Sequence, residues 1–251
     1  MTLSVVVITF NEERNIQRCL QSVKELADEV VVVDSFSTDR TKAICLENGV
    51  KFIEHAFEGH IQQKNWAWNQ ASCDFVLSLD ADEALTPELK ESIAKVKENP
   101  KFNGYTLNRL TYYCGHWVKH SGWYPDTKLR LFKKGDGEWG GVNPHDKFMM
   151  NQAQETPNLN GDLLHYSYYS KEDHFKQIEY FSAIAAQELH KSGKRVSTFT
   201  IGLKMLAQFV KNYILKRGFL DGRTGWLIAI RSSYATLRKY SKLKELYEKG
   251  S

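Results

Sequence analysis

The chain has 251 residues, 42% hydrophobic and 25% charged, with a net charge of +4. That is enough apolar material for a full globular core, and no uncharged apolar run approaches the roughly 18 residues that a membrane span needs. Cys19, Cys45, Cys73 and Cys114 form no C-x-x-C pair, which argues against a zinc ribbon or disulfide framework and for a reducing, cytoplasmic setting.

Met1–Ser4 enters a strand with no basic leader, so a signal peptide is not expected. Leu3 to Phe10 (LSVVVITF) is an almost continuous β-branched and aromatic run, the pattern of a strand covered on both faces. Asn11-Glu12-Glu13 breaks it, and Ile16, Cys19, Leu20 and Val23 recur at helical spacing. Val30 to Val33 is the second strand, ending at Asp34. A helix is expected from Thr38 to Asn48, closed by Gly49. Val50 to Ile53 reads as a third strand, Ile61 to Ala71 as a helix, and Phe75 to Leu79 as a fourth strand. After Pro100 the pattern changes. Gly104 to Cys114 and Thr127 to Phe132 read as strands around an aromatic loop, Gly115 to Pro125, and Gly135 to Pro144 reads as a glycine-rich loop. Helix signals dominate beyond Ser170.

Four alternations of strand and helix predict an α/β open sheet with right-handed crossovers. Ligands bind such sheets at the carboxyl ends of the strands, where Thr9, Asn11, Asp34, Asp80 and Asp82 all fall. No G-x-G-x-x-G follows the first strand, which disfavours a dinucleotide-binding domain, and a P-loop is absent too. Residues two apart on an extended chain share a face, so Asp80 and Asp82 are expected to point together. Two such carboxylates repel unless a cation sits between them, and Mg²⁺ or Mn²⁺ suits an all-oxygen pair with open positions for phosphate. The alternative is a solvated turn before the helix that Thr86-Pro87-Glu88 opens.

Three ordered motifs resemble the family 2 glycosyltransferases of the GT-A fold: Thr9-x-Asn11-Glu12-Glu13, Val33-Asp34-Ser35-Phe36-Ser37-Thr38-Asp39-x-Thr41 and Asp80-Ala81-Asp82-Glu83. Trp123 to Phe132 (WYPDTKLRLF), Val142-Asn143-Pro144-His145-Asp146 and Tyr213 to Gly222 are similar to the branch that includes the lipopolysaccharide core β-1,4-glucosyltransferases. The resemblance implies a GT-A catalytic domain over residues 1–170 with a helical, basic extension over 171–251. It implies an inverting transfer of glucose or a related hexose from a nucleotide sugar, UDP-linked, to a glycan or lipid-linked acceptor of the cell envelope. Asp82 would hold the divalent metal, Mg²⁺ or Mn²⁺, with Asp80 nearer the ribose or the metal's water. Thr9, Asn11, Glu12 and Asp34 would line the nucleotide pocket, with Lys64 close to it. Asp146 is expected as the general base, although Asp stands where relatives more often carry Glu, one methylene longer.

Several residues keep two readings. His165 either completes the metal shell or is a core imidazole. His145 either positions Asp146, touches the diphosphate, or is structural. Arg130, between Leu129 and Leu131, is a surface charge or a phosphate or acceptor contact. Trp123 and Tyr124 either stack on sugar or belong to the core. A nucleotidyltransferase and a non-catalytic nucleotide-sugar-binding domain are the rival functions.

Residues 194–251 hold 13 Lys and Arg against 3 Asp and Glu, whereas the remainder holds 21 against 27. Phe199, Leu203, Leu206, Val210 and Tyr213 form one apolar stripe in that tail, and Leu227, Ile228, Ile230, Tyr234 and Leu237 a second. Two basic amphipathic helices either pack on the catalytic domain or lie on an anionic membrane at the cytoplasmic face. No nucleic-acid recognition motif accompanies the basic residues.

Overall fold

Alternation along β1 (Leu3–Thr9) sends Val5 and Val7 into one apolar cluster and Val6 into another, all buried, so the sheet is covered on both sides. The computed structural model describes residues 1–142 and 145–249, and at Val142, His145 and Lys249 the backbone only. It forms two compact units, one of residues 1–110 and 126–166, the other of residues 111–125 and 167–251. Thr111–Pro125, expected within the catalytic domain, thus groups with the C-terminal helices.

In the first unit, α1 (Ile16–Val23) follows β1, then β2 (Glu29–Asp34), α2 (Thr41–Glu47), β3 (Lys51–Glu54), α3 (His60–Asn69) and β4 (Phe75–Asp80). The strands β3, β2, β1 and β4 lie side by side in parallel, with Thr9 opposite Asp34 and Ile8 opposite Asp80. Three strand ends therefore meet at one edge. β5 (Glu83–Leu85) and α4 (Pro87–Glu98) come next, then β6 (Gly104–Tyr113), whose end falls with β7 (His116–Val118) in the second unit, and β8 (Asp126–Lys133). β8 runs antiparallel beside β4, β6 lies beyond it, and β11 (Asn158–Tyr168) with antiparallel β5 closes the order. This mixed open sheet is the expected GT-A arrangement.

Two loops expected from glycine and aromatic content are strands. β9 (Gly137–Val142) pairs antiparallel with β10 (His145–Met150), and β7 pairs with the end of β6. Trp139 and Phe148 pack on Phe132 in the core, which gives the glycine-rich ribbon a buried face. The second helix begins at Thr41, because Asp39 and Asn11 engage residues 38–41 in a turn. Gly161 adopts φ +92°, and a side chain there would strike the backbone of Leu89 at the start of α4.

The second unit is built on α5 (Lys171–Lys191), α6 (Thr198–Val210) and α7 (Gly222–Lys249). Ser170 and Asp173 form a reciprocal capping box at the start of α5. A π-helical turn (Lys211–Leu215) and a 3₁₀ turn (Gly218–Asp221) join α6 to α7. Glu179 on α5 accepts from Arg238 at 2.7 Å and pairs with Lys242 at 2.9 Å, and these hydrogen bonds hold its carboxyl down to about 2. Arg231, expected on the basic surface, is buried instead. It donates to the Tyr113 hydroxyl at 2.9 Å and to the Lys171 carbonyl at 2.7 Å.

Candidate active site

The loops after β1 and β2 are stitched together by short side chains. Asn11, at φ +54°, accepts from the Thr38 N–H at 2.8 Å, while its own N–H donates to Ser37 Oγ. Glu13 N–H donates to Asp39 at 3.0 Å. Asp34 is fully buried and accepts from both the N–H and the hydroxyl of Ser37, so its carboxylate closes its own loop. Thr9 Oγ1, also buried, has no hydrogen-bond partner among the described residues.

Among the described residues, Asp80 and Asp82, expected to point together, meet different protein side chains. Asp80 ends β4 and meets Lys64 Nζ at 3.1 Å and Arg130 Nη2 at 3.0 Å. Burial alone would raise its pKa, but Lys64, Arg130 and Arg109 hold it far below the ordinary carboxylate range. Asp82, in the turn that follows, lies 3.2 Å from His165 Nε2 on β11. Protein cations thus relieve the repulsion at Asp80, and Asp82 is left to a different environment. Between Asp82 and β11 the backbone is fastened by the Tyr166 N–H, which donates to the Asp82 carbonyl at 2.9 Å.

Lys64 is buried, and its ammonium also meets Asp146 Oδ2 at 2.8 Å. It therefore joins the end of β4 to β10 rather than opening toward solvent. Trp139 lies beneath it, 4.6 Å from ammonium to ring centre. Arg130 is buried as well, which rules out the surface-charge reading. Besides Asp80 it meets Glu83 at 3.1 Å, and its Nε and Nη1 have no hydrogen-bond partner among the described residues. Burial works against its charge, but Glu83, Asp80 and Asp146 more than offset that and hold its pKa above the ordinary value.

Glu83, Arg109 and Asp126 belong to the same network, and the sequence reading missed that. Glu83 is fully buried, accepts the Asp80 N–H at 2.9 Å and meets Arg109 at 3.4 Å, while Arg109 forks onto Asp126 at 2.7 and 2.9 Å.

Glu12 has its carboxyl pushed up to about 7, first by burial and then by the charges of Asp82 and Asp39, against a hydrogen bond from Asn15 and the charge of His165. Trp123 and Tyr124 fall in the other unit. Trp123 packs there against Tyr113, Tyr168 and His174, at ring separations of 5.7 Å each, so it is part of an aromatic core. Tyr124, next to it, is half-buried. The His145 side chain lies outside the described residues.

The family 2 glycosyl transferase model matches residues 4–175, a span that holds all three strand-end motifs. The chain belongs to glycosyl transferase family 2. An uncharacterized glycosyltransferase of Rickettsia typhi is 32% identical over 97% of this chain and 87% of its own length. The lipopolysaccharide core biosynthesis glycosyltransferase LpsC of Rhizobium meliloti is 24% identical over 96% of this chain and 94% of that one. Among solved structures, glucosyl-3-phosphoglycerate synthase of Mycobacterium tuberculosis, with Mn²⁺ and UDP, matches 45% of this chain and 44% of that one, at 23% identity and a TM-score of 0.37. That likeness is too low to carry weight. Membership of the glycosyltransferase family removes the nucleotidyltransferase reading.

Proposed function

We propose that this family 2 glycosyltransferase moves a hexose, glucose or a close relative, with inversion, from a UDP-sugar to a glycan or lipid-linked acceptor of the cell envelope. In this reading residues 1–170 are the catalytic domain and 171–251 an extension. The observation that carries it is the placement of Asp82, His165, Asp80, Lys64 and Asp146 around the carboxyl ends of the central parallel strands, where open α/β sheets bind ligands. The likeness to LpsC over nearly the whole chain supports the acceptor class.

Among the described residues, no group of three or more His, Cys, Asp or Glu side chains is arranged to hold a metal ion. The pair Asp82 Oδ2 and His165 Nε2, 3.2 Å apart, nevertheless suits a Mg²⁺ or Mn²⁺ site whose other positions are left for phosphate oxygens. Asp82 and His165 would hold the ion, which when bound supplies charge neutralisation for the leaving diphosphate.

Asp146 takes the proton of the acceptor hydroxyl as that oxygen bonds to the anomeric carbon. The bond from that carbon to the diphosphate oxygen breaks, and its electron pair leaves with the nucleotide. The Lys64 ammonium, 2.8 Å from Asp146 Oδ2, occupies that carboxylate. The incoming diphosphate competes with Asp146 for Lys64, so donor binding releases the base. In this reading Thr9, at the end of β1, lines the nucleotide pocket.

The test separates the roles. Asp146→Asn should lower turnover by about 10²–10⁴-fold while UDP-sugar binding persists. Asp82→Asn should abolish the dependence of donor binding on Mn²⁺. Unchanged turnover in the first variant would remove Asp146 as base. Full activity in EDTA would remove the metal.

A further inference from the structure

The second unit carries a surface that neither the catalytic reading nor its own packing uses. α6 is apolar on two opposite faces. Ile201 and Met205 point inward, against Tyr240 and Leu243. Phe199, Leu203 and Leu206, at i, i+4 and i+7, point the other way and are 76%, 53% and 61% exposed. An apolar stripe on a helix ordinarily faces a core, and here one of the two is left bare.

The exposure continues through the corner that leads to α7. Leu215 is 71% exposed, Leu220 55% and Trp226 45%. Of sixteen large exposed hydrophobic side chains among the described residues, nine lie between Phe199 and Ile230. Packing of Phe209, Tyr213 and Trp226 rings, 5.1–5.4 Å apart, fixes this corner. The bare side chains thus stand on a built scaffold.

Charge identifies what covers it. Within residues 198–230, all of them described, Lys204, Lys211, Lys216, Arg217 and Arg223 are exposed. The single acidic residue of that span, Asp221, is buried, where it accepts from the backbone N–H of His120 at 2.9 Å and meets the His120 ring at 3.0 Å. Lys204 lies over the Tyr240 ring, on the packed side of α6. Lys211, Lys216, Arg217 and Arg223, however, follow the bare side chains through the corner with no exposed acid between them. Apolar and cationic groups so combined match the acyl and headgroup layers of an anionic bilayer. A second copy of the chain fits poorly, because a two-fold contact would set the cations of the corner against one another. No described helix is long and apolar enough to cross a membrane, so the contact is interfacial.

We propose that the face formed by α6 and the α6–α7 corner seats the protein on an anionic lipid surface, with Phe199, Leu203, Leu206 and Trp226 entering the acyl boundary. The α7 stripe expected from sequence has no part in it beyond its first turns, since Ile228 is buried, Tyr234 packs on Phe175, Leu237 packs in the cluster of Tyr240 and Leu243, and Arg238 and Lys242 are paired with Glu179.

Co-sedimentation of the full chain with vesicles tests this without any activity readout, so its failure is separate from failure of the catalytic reading. The chain should sediment with phosphatidylcholine vesicles containing phosphatidylglycerol and not with phosphatidylcholine alone. Raising salt from 0.1 M to 1 M shortens the Debye length from about 10 Å to about 3 Å and should release most, but not all, of it. Lys211→Gln with Lys216→Gln should weaken partitioning about 30-fold. Phe199→Ser with Leu203→Ser and Leu206→Ser should remove the salt-resistant fraction while leaving the melting temperature in place. An intact chain that ignores anionic vesicles overturns the proposal, as does a triple variant that binds them unchanged. A dimer that the triple variant dissolves, without vesicle binding, assigns the face to self-association and overturns it as well.

Discussion

The strand-end network of the first unit and the α6 face of the second break the usual burial rule in opposite directions. In the first, Lys64, Glu83 and Arg130 lie within the protein, where charged residues almost never sit unless paired. In the second, Phe199, Leu206 and Leu215 stand outside it. Each inversion costs stability, and neither is needed to fold a sheet or a helical unit. Buried charges are kept where they set the position and charge of other carboxylates. Bare apolar side chains are kept where something else covers them.

The largest expected effect comes from breaking the buried network. Arg130→Met leaves Glu83 and Asp80 short of a counter-charge, and removing one partner of a buried pair costs about 3–5 kcal/mol. Urea denaturation should show that loss, and a loss under about 1 kcal/mol would mean that water relieves the pair.

The two units should also differ in the sign of their pH response. Glu12 titrates near 7 when folded against 4.5 as the free side chain, so folding binds extra proton between these values and stability falls as pH rises through them. With chelator present, Glu12→Gln should stabilise at pH 8 by about 3 kcal/mol and by almost nothing at pH 4. His174 behaves in reverse. Burial and then Arg231 lower it from 6.5 to about 4, so its contribution is intact above 6.5 and is lost as pH falls toward 4. His174→Gln should flatten that acid limb by about 3 kcal/mol across the whole window, beside a pH-independent loss from its broken contact with Tyr113. Parallel pH profiles for the two variants would erase the contrast.

The smallest effect sharpens the comparison most. Substituting Phe199, Leu203 and Leu206 by Ser should change folding stability by no more than about 0.5 kcal/mol per site, the range of surface substitutions. A loss of several kcal/mol would show that these side chains are packed in the folded protein in solution.

The order of strands and helices to residue 80 was legible in the chain because period and punctuation are local properties, whereas the short β5 was not. Val5, Val6 and Val7 announce a strand buried on both faces, and Gly49, at φ +67°, marks the end of α2. The strand-end motifs were legible too, since residue type and spacing alone place Thr9, Asp34 and Asp80 at one sheet edge. Partnership was not. That Asp80 belongs to Lys64 and Arg130, and Asp82 to His165, depends on contacts across 16 to 83 residues of chain. The glycine-rich ribbon hid its strands because Trp139 and Phe148 acquire a buried face only once Phe132 is beneath them. In the tail, composition announced basic amphipathic helices, but helical spacing cannot say which stripe is covered. Tertiary packing decided that: it buried Ile228 and Arg231, and left Phe199, Leu203 and Leu206 to the solvent.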